Sequence, residues 1–236
     1  KIYDPKKTYV LIGGCGGLGP RLTQFLMYLG ARNIVLTGRR GQISRSDRLA
    51  LERLVRDPSF PDVTIKVMAA EALKPEAMQD VFDTANSLGP IGGVFLMSVV
   101  LRDDQFMQMD KEKFDTVVQS KIGALNVIRD LIDINKLDFL FLFSSTAALF
   151  YNPGQANYNA AQAYFNRFAM ESKNVISYAV PAISDIGVYA QMRSKSNNAA
   201  LKIMDALACN SRELCTSIAQ SIGRLTMGET NHAGYF

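Results

Sequence analysis

The sequence has no tryptophan, one histidine and three cysteines among its 236 residues. The histidine, His232, lies in a polar tail, which argues against His-based catalysis. The cysteines, Cys15, Cys209 and Cys215, show no metal-ligand spacing, and their odd number argues against a disulfide framework. We therefore expect no metal site, no disulfide scaffold and a reducing, cytoplasmic location.

Long apolar runs and clustered charge are also missing. No apolar stretch reaches the roughly 18 uninterrupted residues that a membrane-spanning helix requires. The net charge is +4 and the basic residues are scattered, whereas a nucleic-acid binder carries a clustered basic face. We expect neither a membrane nor a nucleic acid as partner. Because the chain opens KIYDPKKTYV, without an initiator methionine, we expect a domain of a longer protein.

Apolar runs of strand length alternate with stretches of helical periodicity. The runs are nearly continuous, which is typical of parallel strands buried on both faces. Strand followed by helix, repeated along the chain, predicts an α/β fold: a Rossmann-like, doubly wound parallel sheet with helices on both faces. The predicted strands cover residues 8–13, 33–37, 63–68, 92–98, 138–143 and 175–183. The predicted helices cover residues 19–30, 43–57, 74–89, 111–134 and 154–173.

No internal repeat or low-complexity segment divides the chain, and its length suits one α/β domain. We predict a single domain over residues 1–236. A polar stretch at residues 189–200 interrupts the pattern, and we expect a lid over the substrate at about residues 189–210.

Five glycines lie between the first predicted strand and the first predicted helix. The segment that carries them is Gly13, Gly14, Cys15, Gly16, Gly17, Leu18 and Gly19. Glycine lets a backbone turn sharply and approach a pyrophosphate, while the helix N-terminus offers free N–H groups. A tight turn that needs glycine only for its dihedral angles is the alternative. We favour nucleotide binding, because the cluster lies at the carboxyl edge of the predicted sheet.

The end of the second predicted strand bears on which nucleotide is bound. An acid at this point usually hydrogen-bonds the ribose of NAD. This chain has Arg39 and Arg40 there instead, and a guanidinium pairs with a 2′-phosphate. NADPH is therefore the predicted cofactor, with a solvated basic loop as the alternative.

A serine and a tyrosine follow the fifth predicted strand. Ser145 lies just past the strand end, and Tyr158 begins a helix 13 positions later. A tyrosine can give a proton to a carbonyl oxygen, and a serine hydroxyl can hydrogen-bond the same oxygen. Lys121, on the preceding predicted helix, is the available cation for lowering the pKa of the tyrosine. Taken separately, Ser145 would be interpreted more simply as a helix cap and Tyr158 as a buried aromatic.

Six segments, in order, resemble the ketoreductase domain of polyketide synthases and animal-type fatty acid synthases. This domain is a branch of the short-chain dehydrogenase/reductase superfamily. The segments are YVLIGGCGGLG, ARNIVLTGRRG, GPIGGVFLMSVVLRD, SKIGALNV, DFLFLFSSTAALFYNPGQANYNAAQAYF and AISDIGV, and they run from about residue 8 to residue 188. In that branch the catalytic lysine lies on the earlier helix, where this chain has Lys121.

The resemblance implies reduction of a β-ketoacyl thioester, carried on the phosphopantetheine arm of an acyl carrier protein, to a β-hydroxyacyl thioester. NADPH would supply the hydride, Tyr158 the proton, Ser145 a hydrogen bond to the carbonyl and Lys121 electrostatic support. This is the 3-oxoacyl-[carrier protein] reductase type of reaction. Further cofactor contacts are expected from Glu71, Ala72, Ser98 and Pro181. Neighbouring domains of a parent synthase, including a structural ketoreductase half, are the expected partners.

The chain also departs from the family pattern. The threonine before the first motif glycine is Ile12, and the asparagine four residues after the tyrosine is Gln162, which we count among the catalytic candidates. The family motif HAAGVLRD reads LMSVVLRD, with Val99 in place of glycine. Trp-Gly after the sixth strand reads Val180-Pro181. A ketoreductase-like domain that no longer reduces, serving as a structural or docking domain, is therefore the alternative.

Overall fold

The sheet is continuous and parallel. The structure is a computed structural model that describes residues 2–150, 152–195, 205 and 207–229, within which six strands pair in the order β3-β2-β1-β4-β5-β6. The strands are β1 Thr8–Ile12, β2 Asn33–Gly38, β3 Thr64–Ala69, β4 Ile91–Leu96, β5 Phe139–Ser145 and β6 Val175–Val180. The order reverses between β1 and β4, which is the point where doubly wound sheets bind ligands. The predicted fold class is confirmed.

Helices cover both faces of this sheet. In the described residues they are α1 Leu18–Tyr28, α2 Arg45–Val55, α3 Pro75–Leu88, α4 Lys111–Val118, α5 Ala124–Leu131, α6 Ala147–Phe150, α7 Ala156–Met170, α8 Gly187–Lys195 and α9 Ser211–Thr226. A single π-helical turn, Gln119–Gly123, joins α4 to α5. None of these helices has the length and apolar character needed to cross a bilayer.

Local sequence sets where several helices begin. The Ser44 side chain accepts a hydrogen bond from the Asp47 N–H and caps α2. Asn210 and Glu213 form a reciprocal capping box at the start of α9. Such side chains satisfy N–H groups that have no partner within the helix, which stabilises the first turn.

The strands alternate their side chains between two cores. On β5, Phe139 and Phe141 face the side covered by α1 and α9, while Leu140 and Leu142 face the side covered by α3, α5 and α7. The Phe139 ring lies 5.1–6.2 Å, centroid to centroid, from the rings of Phe95, Tyr9 and Tyr3. This aromatic cluster supports the sheet from the end opposite the glycine segment.

Some boundaries differ from the prediction. β6 ends at Val180 rather than residue 183, because Pro181 has no N–H to continue a strand ladder. β5 extends through Ser145, which is its last residue rather than the residue after it. Tyr158 is the third residue of α7, not the first. The helix expected over residues 111–134 contains the π turn and ends at Leu131.

The region of the expected lid begins as a helix. Residues 189–195 belong to α8, while residues 196–204, residue 206 and His232 lie outside the described residues. Helix α9 was not predicted, although its apolar residues recur at helical spacing after a capping sequence.

Replacing Phe139 with alanine should cost about 3–5 kcal/mol of unfolding free energy, because the ring is 1 % exposed and its removal leaves a cavity. Phe106→Ala is the control, since that ring is 74 % exposed and should change stability by less than about 0.5 kcal/mol. Urea denaturation followed by circular dichroism measures both. Equal losses would contradict the placement of Phe139 in the aromatic cluster.

Candidate active site

The glycine segment folds as a tight loop from β1 into α1. Gly13 has φ +79°, and a Cβ there would lie 2.8 Å from the Ser98 amide nitrogen. A Cβ on Gly19 would lie 1.8 Å from the Gly14 carbonyl oxygen. These two positions therefore require glycine for the fold itself. Gly14 is similarly confined, because its Cβ would meet the Leu11 side chain at 2.6 Å.

Gly16 differs from its neighbours. It is exposed, its φ is not positive, and a Cβ at this position would have its nearest neighbouring atom 3.9 Å away. Neither packing nor backbone geometry demands glycine at this position. An open, side-chain-free backbone at the start of a helix is a surface that an anionic group can approach closely.

Helix α1 begins without a capping side chain and without an acid in its first turn. Its N-terminal N–H groups and positive dipole end are therefore available to an anion. Leu18 packs against the core, and Gly17 rests against Gly187, with a Cβ on Gly17 lying 3.0 Å from the Gly187 nitrogen. The loop consequently touches the first residue of α8.

Thr37 on β2 holds the loop from the side. Its Oγ1 accepts a hydrogen bond from the Gly13 N–H at 3.3 Å, and its carbonyl accepts one from the Cys15 N–H at 3.1 Å. Burial raises the pKa of the half-buried Cys15 thiol, so this side chain is an unreactive part of the loop. Ile12 cannot supply the hydroxyl of the family's threonine, but Thr37 on the neighbouring strand β2 provides one that bonds the glycine loop.

Two arginines follow β2 at the edge of the sheet that carries the loop. Arg39 and Arg40 are exposed, and neither pairs with an acid of the described residues. The preceding Gly38 lies against the loop, since its Cβ would be 2.7 Å from that of Cys15. After β3, Glu71 is exposed and pairs with Lys74 at 3.5 Å, and Ala72 packs against the core.

The Tyr158 phenol lies among three polar side chains from different elements. Burial raises its pKa, while the Ser145 hydroxyl and the Gln162 amide beside it lower it, and the Asp103 charge raises it. The Ser145 Oγ also accepts a hydrogen bond from the Ala147 N–H at 3.2 Å. The structure therefore places the Ser145 and Gln162 side chains beside the Tyr158 phenol.

The Gln162 contact is looser than a formed hydrogen bond. The side chain is 0 % exposed, yet neither amide atom has a hydrogen-bond partner among the described residues. The hydroxyl of Ser144, which precedes Ser145 on β5, is likewise buried and unpartnered within that part of the chain. Buried polar groups of this kind are normally satisfied by water or ligand.

Lys121 lies beneath the tyrosine ring, on the π turn. Its side chain is almost fully buried, and its Nζ donates to the Phe143 carbonyl oxygen at 2.7 Å. The same Nζ is 5.9 Å from the Tyr158 ring centroid and 5.3 Å from that of Phe165. Burial lowers the pKa of Lys121 to about 7, and no acid of the described residues pairs with it. The lysine thus faces the ring of the phenol.

Asn157 and Asp103 complete the surroundings, and Asn157 was not among the predicted site residues. The buried Asn157 amide donates to the carbonyl oxygens of Arg102, at 2.9 Å, and Lys113, at 3.2 Å, and its oxygen accepts from the Tyr158 N–H. Asp103 accepts from Gln155 at 2.8 Å. The sequence signal that could have found Asn157 is its place beside Tyr158 at the start of a predicted helix, where asparagine side chains often bond backbone groups.

Pro181 and Ser98 lie at two other strand ends. Pro181 lines a cavity of about 720 Å³ together with Thr146, Phe150 and residues around the start of α9. Ser98 follows β4 and donates its hydroxyl to the Ser120 carbonyl oxygen at 2.7 Å. No group of three or more potential metal ligands occurs in the described part of the chain.

The sheet and the glycine loop define a Rossmann-like domain of the short-chain dehydrogenase/reductase type. The chain matches the KR domain over residues 7–191. It therefore belongs to the ketoreductase domain family of polyketide synthases, whose members are oxidoreductases that use a nicotinamide cofactor. This bears out the family resemblance of the sequence motifs.

Individual relatives are all much longer proteins. The chain is 32% identical over 191 residues to the trichosetin synthetase PKS-NRPS1 of Gibberella fujikuroi, covering 80% of this chain and 5% of that protein. It is 29% identical over 229 residues to the highly reducing polyketide synthase stpks1 of Strobilurus tenacellus, covering 94% and 8%. The solved structure of A-type ketoreductases from a modular polyketide synthase shares the fold, with TM-score 0.80 at 23% identity, covering 99% of this chain and 48% of that one.

Alanine at Gly19 should destabilise the fold, whereas alanine at Gly16 should leave its stability almost unchanged. Gly19→Ala should lower the unfolding free energy by at least about 2 kcal/mol, because the added carbon overlaps the Gly14 carbonyl. Gly16→Ala should change it by less than about 0.5 kcal/mol, because the added carbon meets open space. Chemical denaturation of the two variants provides the comparison. A large loss in Gly16→Ala would mean that Gly16, too, is required by the turn.

Proposed function

We propose that this domain is an NADPH-dependent ketoreductase. It reduces a β-ketoacyl thioester on the phosphopantetheine arm of an acyl carrier protein to the β-hydroxyacyl thioester, in polyketide or fatty acid biosynthesis. The observation that carries this proposal is that Ser145 and Gln162 lie beside the Tyr158 phenol, with the Nζ of the buried Lys121 5.9 Å from the centroid of the tyrosine ring. Side chains from β5, α7 and the π turn are thus gathered around one tyrosine.

The glycine loop supports a dinucleotide as the cofactor. A tight turn alone accounts for Gly13 and Gly19 but not for the open position at Gly16. Gly16, Gly17 and the start of α1 would hold the pyrophosphate, and Arg39 and Arg40, which pair with no acid of the described residues, would receive the 2′-phosphate. Glu71, Ala72, Ser98 and Pro181 lie at ends of other strands along the same edge. When bound, NADPH supplies the hydride for the reduction.

The protein's own part is to hold the carbonyl and deliver a proton. The Ser145 hydroxyl donates a hydrogen bond to the substrate oxygen, and Tyr158 transfers its phenolic proton to that oxygen. The resulting phenolate is stabilised by the Gln162 amide and by the positive charge of Lys121. Since burial opposes the phenolate, these neighbours decide whether the tyrosine can act near neutral pH.

The carrier protein and the rest of a synthase are the proposed partners. The chain spans less than a tenth of the curated relatives described above and about half of the solved ketoreductase chain. We infer that residues 1–236 form one catalytic domain that packs against another segment, including a structural ketoreductase half. The free thiols Cys15, Cys209 and Cys215 are in keeping with a reducing cytoplasm.

A structural or docking domain without activity is the second candidate. It is favoured by the unbonded Gln162 amide at the position where the family has asparagine. Turnover of a β-ketoacyl thioester mimic with NADPH separates the two candidates, since a structural domain can bind NADPH without consuming it.

Tyr158→Phe should reduce kcat by about 10³-fold, because the variant has no proton to give. NADPH affinity should stay within about twofold, because the phenol oxygen contributes to chemistry rather than to cofactor binding. Stopped-flow oxidation of NADPH and fluorescence titration measure the two quantities. Tyr164→Phe, on the same helix and 37 % exposed, is the matched control and should keep full activity. Retained activity in Tyr158→Phe would remove the proposed proton donor.

Arg39→Ala should raise the Kd for NADPH by about 10- to 100-fold while changing the Kd for NADH by less than about threefold, because only NADPH offers the 2′-phosphate. Isothermal titration with both cofactors gives the ratio. Arg53→Ala, which removes an exposed charge near the end of α2, should leave both constants unchanged. An equal loss for the two cofactors in Arg39→Ala would reject the 2′-phosphate assignment.

A further inference from the structure

Ser98 connects two parts of the site that come from distant segments of the chain. It lies two residues beyond the end of β4, and its Oγ donates to the Ser120 carbonyl oxygen at 2.7 Å. Ser120 immediately precedes Lys121. The hydroxyl of Ser98 is thus one peptide away from the residue that places a cation beneath Tyr158.

The segment that receives this bond is a π turn rather than a regular α-helix. The Ala124 N–H reaches back five residues to the Gln119 carbonyl. π-helical turns are rare and usually single, and they persist where other contacts support them. The Ser120 carbonyl has such a contact, because it accepts from the distant Ser98, whereas the Ser120 hydroxyl donates only locally, to the Val117 carbonyl three residues back at 2.7 Å.

On its other side, Ser98 contacts the glycine loop through its backbone. A Cβ on Gly13 would lie 2.8 Å from the Ser98 nitrogen and 2.9 Å from its Cα. A contiguous set of contacts therefore runs from Gly13 through Ser98 to Ser120 and Lys121.

Among the described residues, the lysine's ammonium group has few contacts. They are one hydrogen bond, to the Phe143 carbonyl, and two aromatic rings, those of Tyr158 and Phe165. A small rotation of the π turn would move Nζ relative to both the carbonyl and the phenol ring. The conformation of the π turn therefore sets the position of the Lys121 ammonium group.

We propose that Ser98 is a positioning residue: its hydroxyl holds the Ser120 carbonyl, fixes the π turn and so keeps the Lys121 ammonium beneath Tyr158. Its catalytic consequence rests on the proposed ketoreductase function. The positioning itself does not, and it is measurable in the absence of turnover.

The experiment follows the titration of Lys121 in the chain of residues 1–236. Lysine labelled with ¹³C at Cε reports the midpoint by NMR, and the Lys121 signal is assigned by its loss in Lys121→Met. The wild-type midpoint is expected at about pH 7. In Ser98→Ala it should rise by about one pH unit, because a turn released from Ser98 lets water reach the ammonium.

Two variants separate positioning from a general loss of packing. Ser98→Thr keeps the hydroxyl and should hold the midpoint within about 0.3 pH unit. Ser120→Ala removes a hydroxyl from the same turn but leaves the carbonyl that Ser98 binds, so it should behave like the wild type. If Ser98→Ala does not fold, Ser98→Cys keeps the side-chain volume with a weak donor and should show the same rise.

Activity adds a second readout. Ser98→Ala should lower kcat for a β-ketoacyl thioester by about tenfold, with KM within about twofold. An unmoved Lys121 midpoint in Ser98→Ala overturns the proposal, whether or not NADPH binding changes. If the wild type does not reduce the thioester, the proposed function fails, while the titration still decides the role of Ser98.

Discussion

A cation buried without an acid partner among the described residues is the constraint on which this site depends. Lys121 is desolvated, and its pKa falls from the ordinary 10.5 to about 7. Between these values the unfolded chain binds more protons than the folded one, so the lysine opposes folding at neutral pH and below, and the penalty shrinks as pH rises from 7 toward 10.5. The protein retains a cost of this kind only where the surrounding structure over-determines the conformation, as the Phe143 carbonyl and the π turn do here.

The burial that lowers the pKa of Lys121 also raises the pKa of Tyr158. A desolvated phenol resists ionisation, so Tyr158 keeps its proton until a partner accepts it. The Ser145 and Gln162 side chains act in the opposite direction by stabilising the phenolate. Because Ser145 is on strand β5 and Gln162 on helix α7, the balance between raising and lowering the pKa of Tyr158 is set by regular elements rather than by a loop.

The parts of the molecule that could be predicted are those determined by residues close together in the sequence. Continuous apolar runs such as β5 and the glycines after β1 specify strand, turn and helix within a few neighbouring residues. The π turn was not predictable, because its widening depends on a hydrogen bond between Ser98 and Ser120, 22 residues apart. The support of the glycine loop by Thr37 was hidden for the same reason, since its two partners lie on different strands.

These non-local contacts also bear on whether the domain is active. Along the chain, Ile12 and Gln162 look like losses relative to the family pattern. In space, Thr37 returns a hydroxyl to the loop, and the Gln162 amide still lies beside the Tyr158 phenol. A domain that had ceased to catalyse would have no reason to keep a costly buried lysine, without an acid partner in the described part of the chain, under an intact serine and tyrosine, since an apolar side chain there would stabilise the fold. The retained cost therefore favours a reductase over a structural remnant.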